Sequence, residues 1–270
     1  QVLWYPNKNA FLAGNVWIGG VDSVGLYSTA LGYRSIAMGD YSQAFGYKAK
    51  ALGNYSTSIG KNSVAGAGKT VAQNAFAFGD GAQATGSDSY AFGSGATATG
   101  YRSFAFGSVG LNDAGDPTST PTTASQPYTV AIGMGAQATQ KGAMAFGIGA
   151  NASGFYSNSF GYYSTSSGYY STALGFRSTA SNYYAGALGY YATAGGLGSL
   201  ALGYDAQASQ NYAAAVGASS RATNSYASAF GRSATAQGQN SVAVGYGATT
   251  GTSATDASAF GRLANATGAS

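Results

Sequence analysis

The sequence repeats every seven residues. Each copy contains five residues in the order small, variable, small, variable, glycine. Five successive copies are Ser28–Gly32, Ser35–Gly39, Ser42–Gly46, Ala49–Gly53 and Ser56–Gly60. The phase returns at Gly79 and holds from Gly133 to Gly245, with Asn or Gln in a few glycine positions. Such a fixed period predicts a stack of similar units, each packed on its neighbours.

Side chains alternate within each copy, which predicts a strand, and the residues around each glycine predict a tight turn. From Gly79 onward the copies come in two kinds. One kind carries apolar residues at both variable positions, as at Phe76 and Phe78, and the next carries polar ones, as at Gln83 and Thr85. The structural repeat is therefore 14 residues long. Two strands and two turns per repeat predict an all-β fold, a flattened parallel β-roll or β-solenoid.

We expect the small residues, and not the variable ones, to point into this roll. If the variable positions pointed inward, Phe92 on one wall would face amides such as Gln83 on the other. Each amide buried without a partner costs about 1–3 kcal/mol. With the small residues inward, both walls present Ala, Ser and Gly, which fit between walls joined by tight turns. Residues 25–60 are less regular, because Ile36 and Leu52 place apolar residues in both halves.

The apolar variable positions would then cover one outer face, which is larger than a soluble monomer leaves exposed. Burial of each such side chain against a partner contributes about 1.5–3 kcal/mol. We therefore expect a homo-oligomer whose identical rolls pack through this face. The residues assigned to the interface are Phe76, Phe78, Phe92, Phe104, Phe106, Ile132, Phe146, Leu174, Leu188, Leu202, Val216, Phe230, Val244 and Phe260.

The composition excludes most catalytic chemistry. The chain has no His and no Cys, and its 8 acidic residues are all Asp. It therefore has no Ser-His-Asp triad, no cysteine nucleophile, no imidazole or thiolate metal ligand and no disulfide. We expect no enzymatic activity and no cofactor. The 12 Lys and Arg residues are spread over 270 positions without a basic run, so we expect no nucleic-acid partner.

Tyrosine, with 22 copies, is the most distinctive residue, and it concentrates in the turns of residues 155–191. The repeat predicts two ring stacks, which comprise Phe155, Tyr169 and Tyr183 on one edge and Tyr162, Phe176 and Tyr190 on the other. Such rings either staple successive coils or form an exposed band that contacts a ligand. The residues assigned to ligand contact are Tyr156, Tyr163, Tyr170, Arg177, Tyr184 and Tyr191, with Asp113 and Asp116 of an irregular loop.

Residues 1–24 do not keep the repeat and carry both tryptophans, Trp4 and Trp17. Because the terminal coil of a solenoid needs a cap, we expect an N-terminal cap there and the roll over residues 25–270. The repeat is interrupted by insertions near 61–71, 108–128 and 250–256. The middle insertion holds three of the four prolines and is expected to project as a loop.

Three stretches carry a family resemblance. Asn74–Gly86, Ser199–Ser209 and Asn240–Gly251 are similar to the head repeats of trimeric autotransporter adhesins, the YadA-like heads, and the similarity covers about residues 25–270. The resemblance implies a left-handed roll, a homotrimer of rolls side by side, and an extracellular place on the Gram-negative outer membrane for adhesion. It also implies anchoring through stalk and membrane segments that this sequence does not show.

Two functions of different classes fit the sequence. The first is a cell-surface adhesin head that binds host or environmental matrix, protein or glycan, through the outer face and turns of a rigid trimer. The second is a structural fibre or spacer, in a surface filament or a phage-like fibre, without its own ligand. Ice or crystal-surface binding through threonine rows is a third alternative, and only Thr97 and Thr99 form such a pair.

Overall fold

The computed structural model describes residues 2–112 and 114–268, which form short strands, tight turns and two 3-10 helices. The chain divides into two compact units, residues 1–142 and residues 143–270. Within the described ranges, no helix has the length and hydropathy needed to cross a membrane.

The first unit opens with an antiparallel hairpin of β1 (Val2–Tyr5) and β2 (Ala10–Ala13), joined by a 3-10 helix at Pro6–Lys8. A second 3-10 helix lies at Val21–Ser23. The other strands of this unit are β3 (Thr29–Leu31), β4 (Ile36–Ala37), β5 (Gln43–Phe45), β6 (Lys50–Ala51), β7 (Thr57–Ile59), β8 (Val64–Ala65), β9 (Phe76–Phe78), β10 (Gln83–Ala84), β11 (Tyr90–Phe92), β12 (Thr97–Ala98), β13 (Phe104–Phe106), β14 (Thr123–Ala124), β15 (Val130–Ile132) and β16 (Gln137–Ala138).

The second unit consists of strands and turns alone in its described part. Its strands are β17 (Met144–Phe146), β18 (Asn151–Ala152), β19 (Asn158–Phe160), β20 (Thr165–Ser166), β21 (Thr172–Leu174), β22 (Thr179–Ala180), β23 (Gly186–Leu188), β24 (Thr193–Ala194), β25 (Leu200–Leu202), β26 (Gln207–Ala208), β27 (Ala214–Val216), β28 (Arg221–Ala222), β29 (Ser228–Phe230), β30 (Thr235–Ala236), β31 (Val242–Val244), β32 (Thr249–Thr250), β33 (Ser258–Phe260) and β34 (Asn265–Ala266).

From β3 onward, strands of three residues alternate with strands of two. We call the odd-numbered strands from β3 the long strands and the even-numbered strands from β4 the short strands. Within a unit, each long strand pairs in parallel with the next long strand, as Tyr90 pairs with Phe104. Each short strand pairs in the same way with the next short one, as Gln83 pairs with Thr97. The predicted parallel β-solenoid is therefore confirmed in each unit.

The interior of each roll is filled by alanine and serine. The central residues of the long strands point inward, as at Ala91 and Ala187, and so do the alanines of the short strands, as at Ala98 and Ala194. All four are fully buried, at 0% exposure. The inward direction of the small residues is thus confirmed. It also holds over residues 25–60, where the sequence pattern is less regular.

Some buried serines meet in pairs across a turn. The two Oγ atoms lie 2.8 Å apart in the pair Ser58–Ser63 and 2.7 Å apart in the pair Ser159–Ser164. Each pair joins the centre of a long strand to the residue before the following short strand. Because a buried hydroxyl needs a hydrogen-bond partner, paired serines can replace paired alanines without adding bulk to the core.

Glycine is required at one side of the coil. After the long strands it has left-handed backbone, with φ +134° at Gly175, where a Cβ would lie 2.3 Å from the carbonyl oxygen of Gly189 in the next coil. After the short strands the glycine is not left-handed, although the coils approach as closely there, with an added Cβ at Gly168 1.9 Å from the carbonyl oxygen of Asn182. Asn182 and Gln210 nevertheless take this glycine position. The Asn and Gln replacements in the repeat therefore fall where the backbone is not left-handed.

The chain leaves the coil between β13 and β14. Leu111 forms an antiparallel bridge with Pro117. The Oγ1 of Thr122 lies within hydrogen-bond distance of two carbonyl oxygens, 2.8 Å from that of Ser108 and 2.6 Å from that of Gly133. These contacts hold the loop to the roll. The division into a cap at residues 1–24, a roll and three insertions remains a prediction.

Candidate binding surfaces

The turns line the two edges of each roll. We call the turns after the long strands the first edge and those after the short strands the second edge. The second residue after the glycine position of each turn has left-handed backbone, with φ +56° at Tyr191 on the first edge and +57° at Tyr170 on the second. Gly149 and Gly198 fill the same position in other turns. The tyrosines found there are Tyr27, Tyr41, Tyr55, Tyr128, Tyr156, Tyr163, Tyr170, Tyr184, Tyr191, Tyr212 and Tyr226.

Tyrosine is an unfavourable choice for this backbone. A side chain in the left-handed region costs about 1–2 kcal/mol that glycine avoids. The repeated use of tyrosine there means that its ring contributes to stability or to recognition. The sequence carries a signal for this backbone, because Gly, Asn and Asp, which adopt it readily, fill the same repeat position elsewhere.

Three of these tyrosines form a ladder on the second edge. The ring centroids are 5.5 Å apart between Tyr156 and Tyr170 and 5.4 Å apart between Tyr170 and Tyr184, with planes inclined by 7° and 6°. All three are exposed, and Tyr184 most, at 63%. We call them the tyrosine ladder. Because the ring faces cover one another, the ladder presents ring edges and phenol hydroxyls to the solvent.

Both sets of rings expected from the repeat are in contact, face to face in the set that contains Tyr162 but tilted by 51° and 38° in the set that contains Phe155. They consist of Phe155, Tyr169 and Tyr183 beside the tyrosine ladder and of Tyr162, Phe176 and Tyr190 on the first edge. Centroid separations are 4.9 and 4.6 Å in the first stack and 5.1 and 4.8 Å in the second. Each such pair contributes about 0.5–1.5 kcal/mol beyond the area it buries. These rings therefore staple successive coils.

A basic side chain lies among the rings of the first edge. The guanidinium carbon of Arg177 lies 5.5 Å from the ring centroid of Tyr163 and 5.7 Å from that of Phe176. Tyr191 meets Tyr190 edge to face, at 4.6 Å. Desolvation raises the pKa of Tyr190 above its ordinary value, neighbouring tyrosines raise it further and Arg177 lowers it. The Tyr190 hydroxyl therefore remains a protonated donor at neutral pH.

The residues assigned to ligand contact do not form one site. Tyr156, Tyr170 and Tyr184 lie on the second edge, and Tyr163, Arg177 and Tyr191 lie on the first. Asp113 lies outside the described residues. Asp116 lies in the loop between β13 and β14, where its carboxylate accepts a hydrogen bond from the Nδ2 of Asn112 at 3.2 Å. Their role in binding remains a prediction.

The last residue of every long strand is apolar, and we call this row the apolar column. Its members are Leu31, Phe45, Ile59, Phe78, Phe92, Phe106 and Ile132 in the first unit and Phe146, Phe160, Leu174, Leu188, Leu202, Val216, Phe230, Val244 and Phe260 in the second. Several are well exposed, including Phe106 at 52% and Leu174 at 48%. All the residues assigned to the trimer interface belong to the column except Phe76 and Phe104, which begin long strands.

The first residue of the long strands is not always apolar, in contrast to the predicted pattern. It is aromatic at Phe76 and Tyr90 in the first unit, but Asn158, Thr172 and Ser228 take this position in the second. The apolar face is therefore two residues wide in part of the first unit and narrows to the column alone at many coils of the second.

Comparison with protein families agrees with the repeat. The family model of the YadA head domain repeat, which describes two copies, matches more than half of the chain. The matched residues are 23–42, 39–63, 71–89, 84–108, 138–164, 166–192, 194–220 and 222–248. They include the tyrosine ladder and most of the apolar column. Among curated proteins, none matches the chain.

Proposed function

The chain belongs to the YadA head family, and we propose on this basis that it is the head of a trimeric adhesin outside the cell. Its ligands would be matrix proteins or glycans, bound through the aromatic edges of the roll. The trimer would form through the apolar column, whose exposed side chains need a partner surface. Three identical heads give avidity, so weak contacts at each edge suffice for firm attachment. No catalytic step enters this proposal.

The observation that carries the proposal is the tyrosine ladder in left-handed turns. Coil stapling is already supplied by the neighbouring stack of Phe155, Tyr169 and Tyr183. Glycine at the ladder positions would remove the backbone strain. A rigid, exposed tyrosine offers a large contact area and a hydroxyl at small entropic cost, as in binding surfaces that have to adapt. Recognition accounts for tyrosine there better than stability does.

The alternative is a spacer in which the ladder only staples coils. The face-to-face overlap of its rings, with planes within 7° of parallel, favours this alternative. The two functions predict different consequences of removing the rings, because stapling affects stability and recognition affects retention on a ligand.

A triple change of Tyr156, Tyr170 and Tyr184 to Asn tests the proposal. Asparagine is suitable because Asn62 and Asn240 occupy the same turn position, with φ +54° and +55°. We expect retention on immobilised matrix proteins or glycans, measured by surface plasmon resonance, to weaken about tenfold or more, as for loss of interface tyrosines. The melting temperature should change little.

The matched control changes Tyr27, Tyr41 and Tyr55 to Asn. These three also stack on the second edge, with centroids 5.0 and 5.1 Å apart. The control and the ladder variant therefore each lose three stacked tyrosine rings, but at different places along the roll. If the variant without the tyrosine ladder is retained on the ligand as well as the parent chain, the ladder has no role in binding. A parallel drop in melting temperature and retention assigns the ladder to stapling, and an inert trimer across a broad ligand panel supports the spacer.

A further inference from the structure

Three basic side chains and a tryptophan line a groove near the start of the roll. Arg34, Lys48 and Lys50 surround it together with Trp17 and Ile36, and its volume is about 380 Å³. That volume lies within the range of small-ligand sites, about 300–1,000 Å³. None of these residues belongs to the tyrosine ladder or the apolar column. The groove therefore uses none of the residues assigned above to ligand contact or to the trimer interface, although Arg34 and Lys48 lie on the first edge.

The repeat brings the cations together. Arg34 and Lys48 occupy the same left-handed position in successive turns of the first edge, with φ +52° and +55°. Their coils are joined directly, since the Lys48 backbone N–H donates to the carbonyl oxygen of Tyr33 at 2.8 Å. Neighbouring parallel strands lie about 4.8 Å apart, so the two side chains start close together. Lys50 begins strand β6, where it pairs with Ile36 of β4.

Two of the lining side chains are held in place by their surroundings. The Nζ of Lys48 lies 5.1 Å from the centroid of the Tyr47 ring, an arrangement that favours this position of the ammonium group. The indole of Trp17 packs over Gly19, where an added Cβ would lie 2.1 Å from the ring. The Trp17 backbone N–H donates to the carbonyl oxygen of Ser35 at 3.3 Å. The indole still keeps 44% of its surface exposed.

The groove carries net positive charge that the protein does not neutralise. Within residues 2–112 and 114–268, Arg34, Lys48 and Lys50 form no ion pair with a carboxylate within 4.0 Å. Asp40 lies on the second edge, where it accepts from the Leu26 backbone N–H at 2.9 Å. Three cations around an apolar ring suit a ligand with acidic groups and an apolar face.

We propose that this groove binds an acidic oligosaccharide, a sulfated or carboxylated sugar chain. Its acidic groups would meet Arg34, Lys48 and Lys50, and the C–H face of one sugar ring would lie on Trp17. The volume admits one or two sugar rings of such a chain. A single exposed indole also differs from the series of aromatic platforms with which single-stranded nucleic acids are bound. The inference rests on the proposed function and deepens it, because it names the class of glycan and places its binding on residues outside the tyrosine ladder.

The test uses the complete chain and a size-defined heparin hexasaccharide as probe, with calorimetry as the measurement. Arg34→Gln combined with Lys50→Gln should weaken binding about 10- to 100-fold, the loss expected for charge-assisted hydrogen bonds. Trp17→Ala should weaken it about tenfold through lost apolar contact and leave its salt dependence unchanged. Arg232→Gln combined with Arg262→Gln is the matched control, since both lie near the Tyr246 ring and the charge change is the same.

Equal binding by the Arg34/Lys50 variant and the parent chain overturns the proposal, and so does an equal loss in the Arg232/Arg262 control. A hyaluronan hexasaccharide carries carboxylates but no sulfates. Comparing its affinity with that of the heparin hexasaccharide shows whether the groove prefers sulfate or carboxylate groups. Tighter binding of a short oligothymidylate overturns it in favour of nucleic acid. The tyrosine-ladder variant should bind the hexasaccharide normally, so failure of the adhesion proposal and failure of this one are separable.

Discussion

At the scale of the residue, the buried alanine decides how closely the two walls of the coil approach. Ala187 and Ala192 are the counterparts, two coils along, of the hydrogen-bonded pair Ser159–Ser164. Both alanines are fully buried, at 0% exposure. A hydroxyl added at Ala192 can donate to the carbonyl oxygen of Gly189, as Ser178 and Ser220 donate to Gly175 and Gly217. A hydroxyl added at Ala187 has no such partner, but it can bond to a second hydroxyl at position 192.

We expect Ala187→Ser alone to lower the free energy of unfolding by about 1–3 kcal/mol, the cost of an unsatisfied buried hydroxyl. Ala187→Ser with Ala192→Ser should recover most of that loss. Urea denaturation of the two single variants and the double variant gives the coupling energy directly. Additive losses would show that the serine pairs do not stabilise the core.

The left-handed turn position gives a second prediction at this scale. At Tyr184, with φ +56°, asparagine should be tolerated and valine should not, because a β-branched side chain clashes in the left-handed region. We expect Tyr184→Val to be about 1–2 kcal/mol less stable than Tyr184→Asn, as measured by chemical denaturation. Equal stability of the two variants would mean that the turn changes its conformation to accommodate the side chain.

At the scale of the element, the strands differ in what their outer side chains need. Leu174 and Leu202 end the long strands β21 and β25 and are exposed at 48% and 42%. Thr179 and Thr193 begin the short strands β22 and β24, at a comparable place on the other face. We therefore propose that the long-strand face, and not the short-strand face, packs against a partner.

We expect Leu174→Asp with Leu202→Asp to dissociate the trimer, because an unpaired charge buried at an interface costs about 3–5 kcal/mol. Thr179→Asp with Thr193→Asp should leave the oligomer intact. Sedimentation equilibrium over a range of concentrations distinguishes the two variants. Dissociation of the threonine variant alone would place the interface on the opposite face.

The elements and ring stacks could be predicted from sequence because they depend only on alternation and spacing. Ala91 and Ala98 recur in phase with their strands, and the ring stacks follow from counting residues along the repeat. The groove could not be predicted this way. Arg34 and Lys48 meet Trp17 only because the segment around Trp17, which has no repeat, lies against Ser35. The strain at the tyrosine turns could have been predicted, because Gly, Asn and Asp fill the same repeat position elsewhere.

At the scale of the whole molecule, stability depends little on charge. The chain has 12 basic and 8 acidic residues among 270. Its ion pairs lie at the surface, such as Lys61 with Asp80 at 3.4 Å and Arg221 with Asp205 at 3.2 Å. Exposed pairs of this kind contribute about 0–1 kcal/mol each. Alanine packing, strand pairing and stacked rings therefore hold the rolls together.

We expect the melting temperature to shift by less than about 2 °C when NaCl rises from about 20 to about 300 mM, since screening acts on exposed charges that contribute little. Hexasaccharide binding in the groove of Arg34, Lys48 and Lys50 should weaken strongly over the same range, because it depends on unneutralised cations. Calorimetric scans and titrations on one preparation compare the two responses. A melting temperature as sensitive to salt as the binding would show that charge contributes to the fold itself and that the core and ring contacts do not suffice.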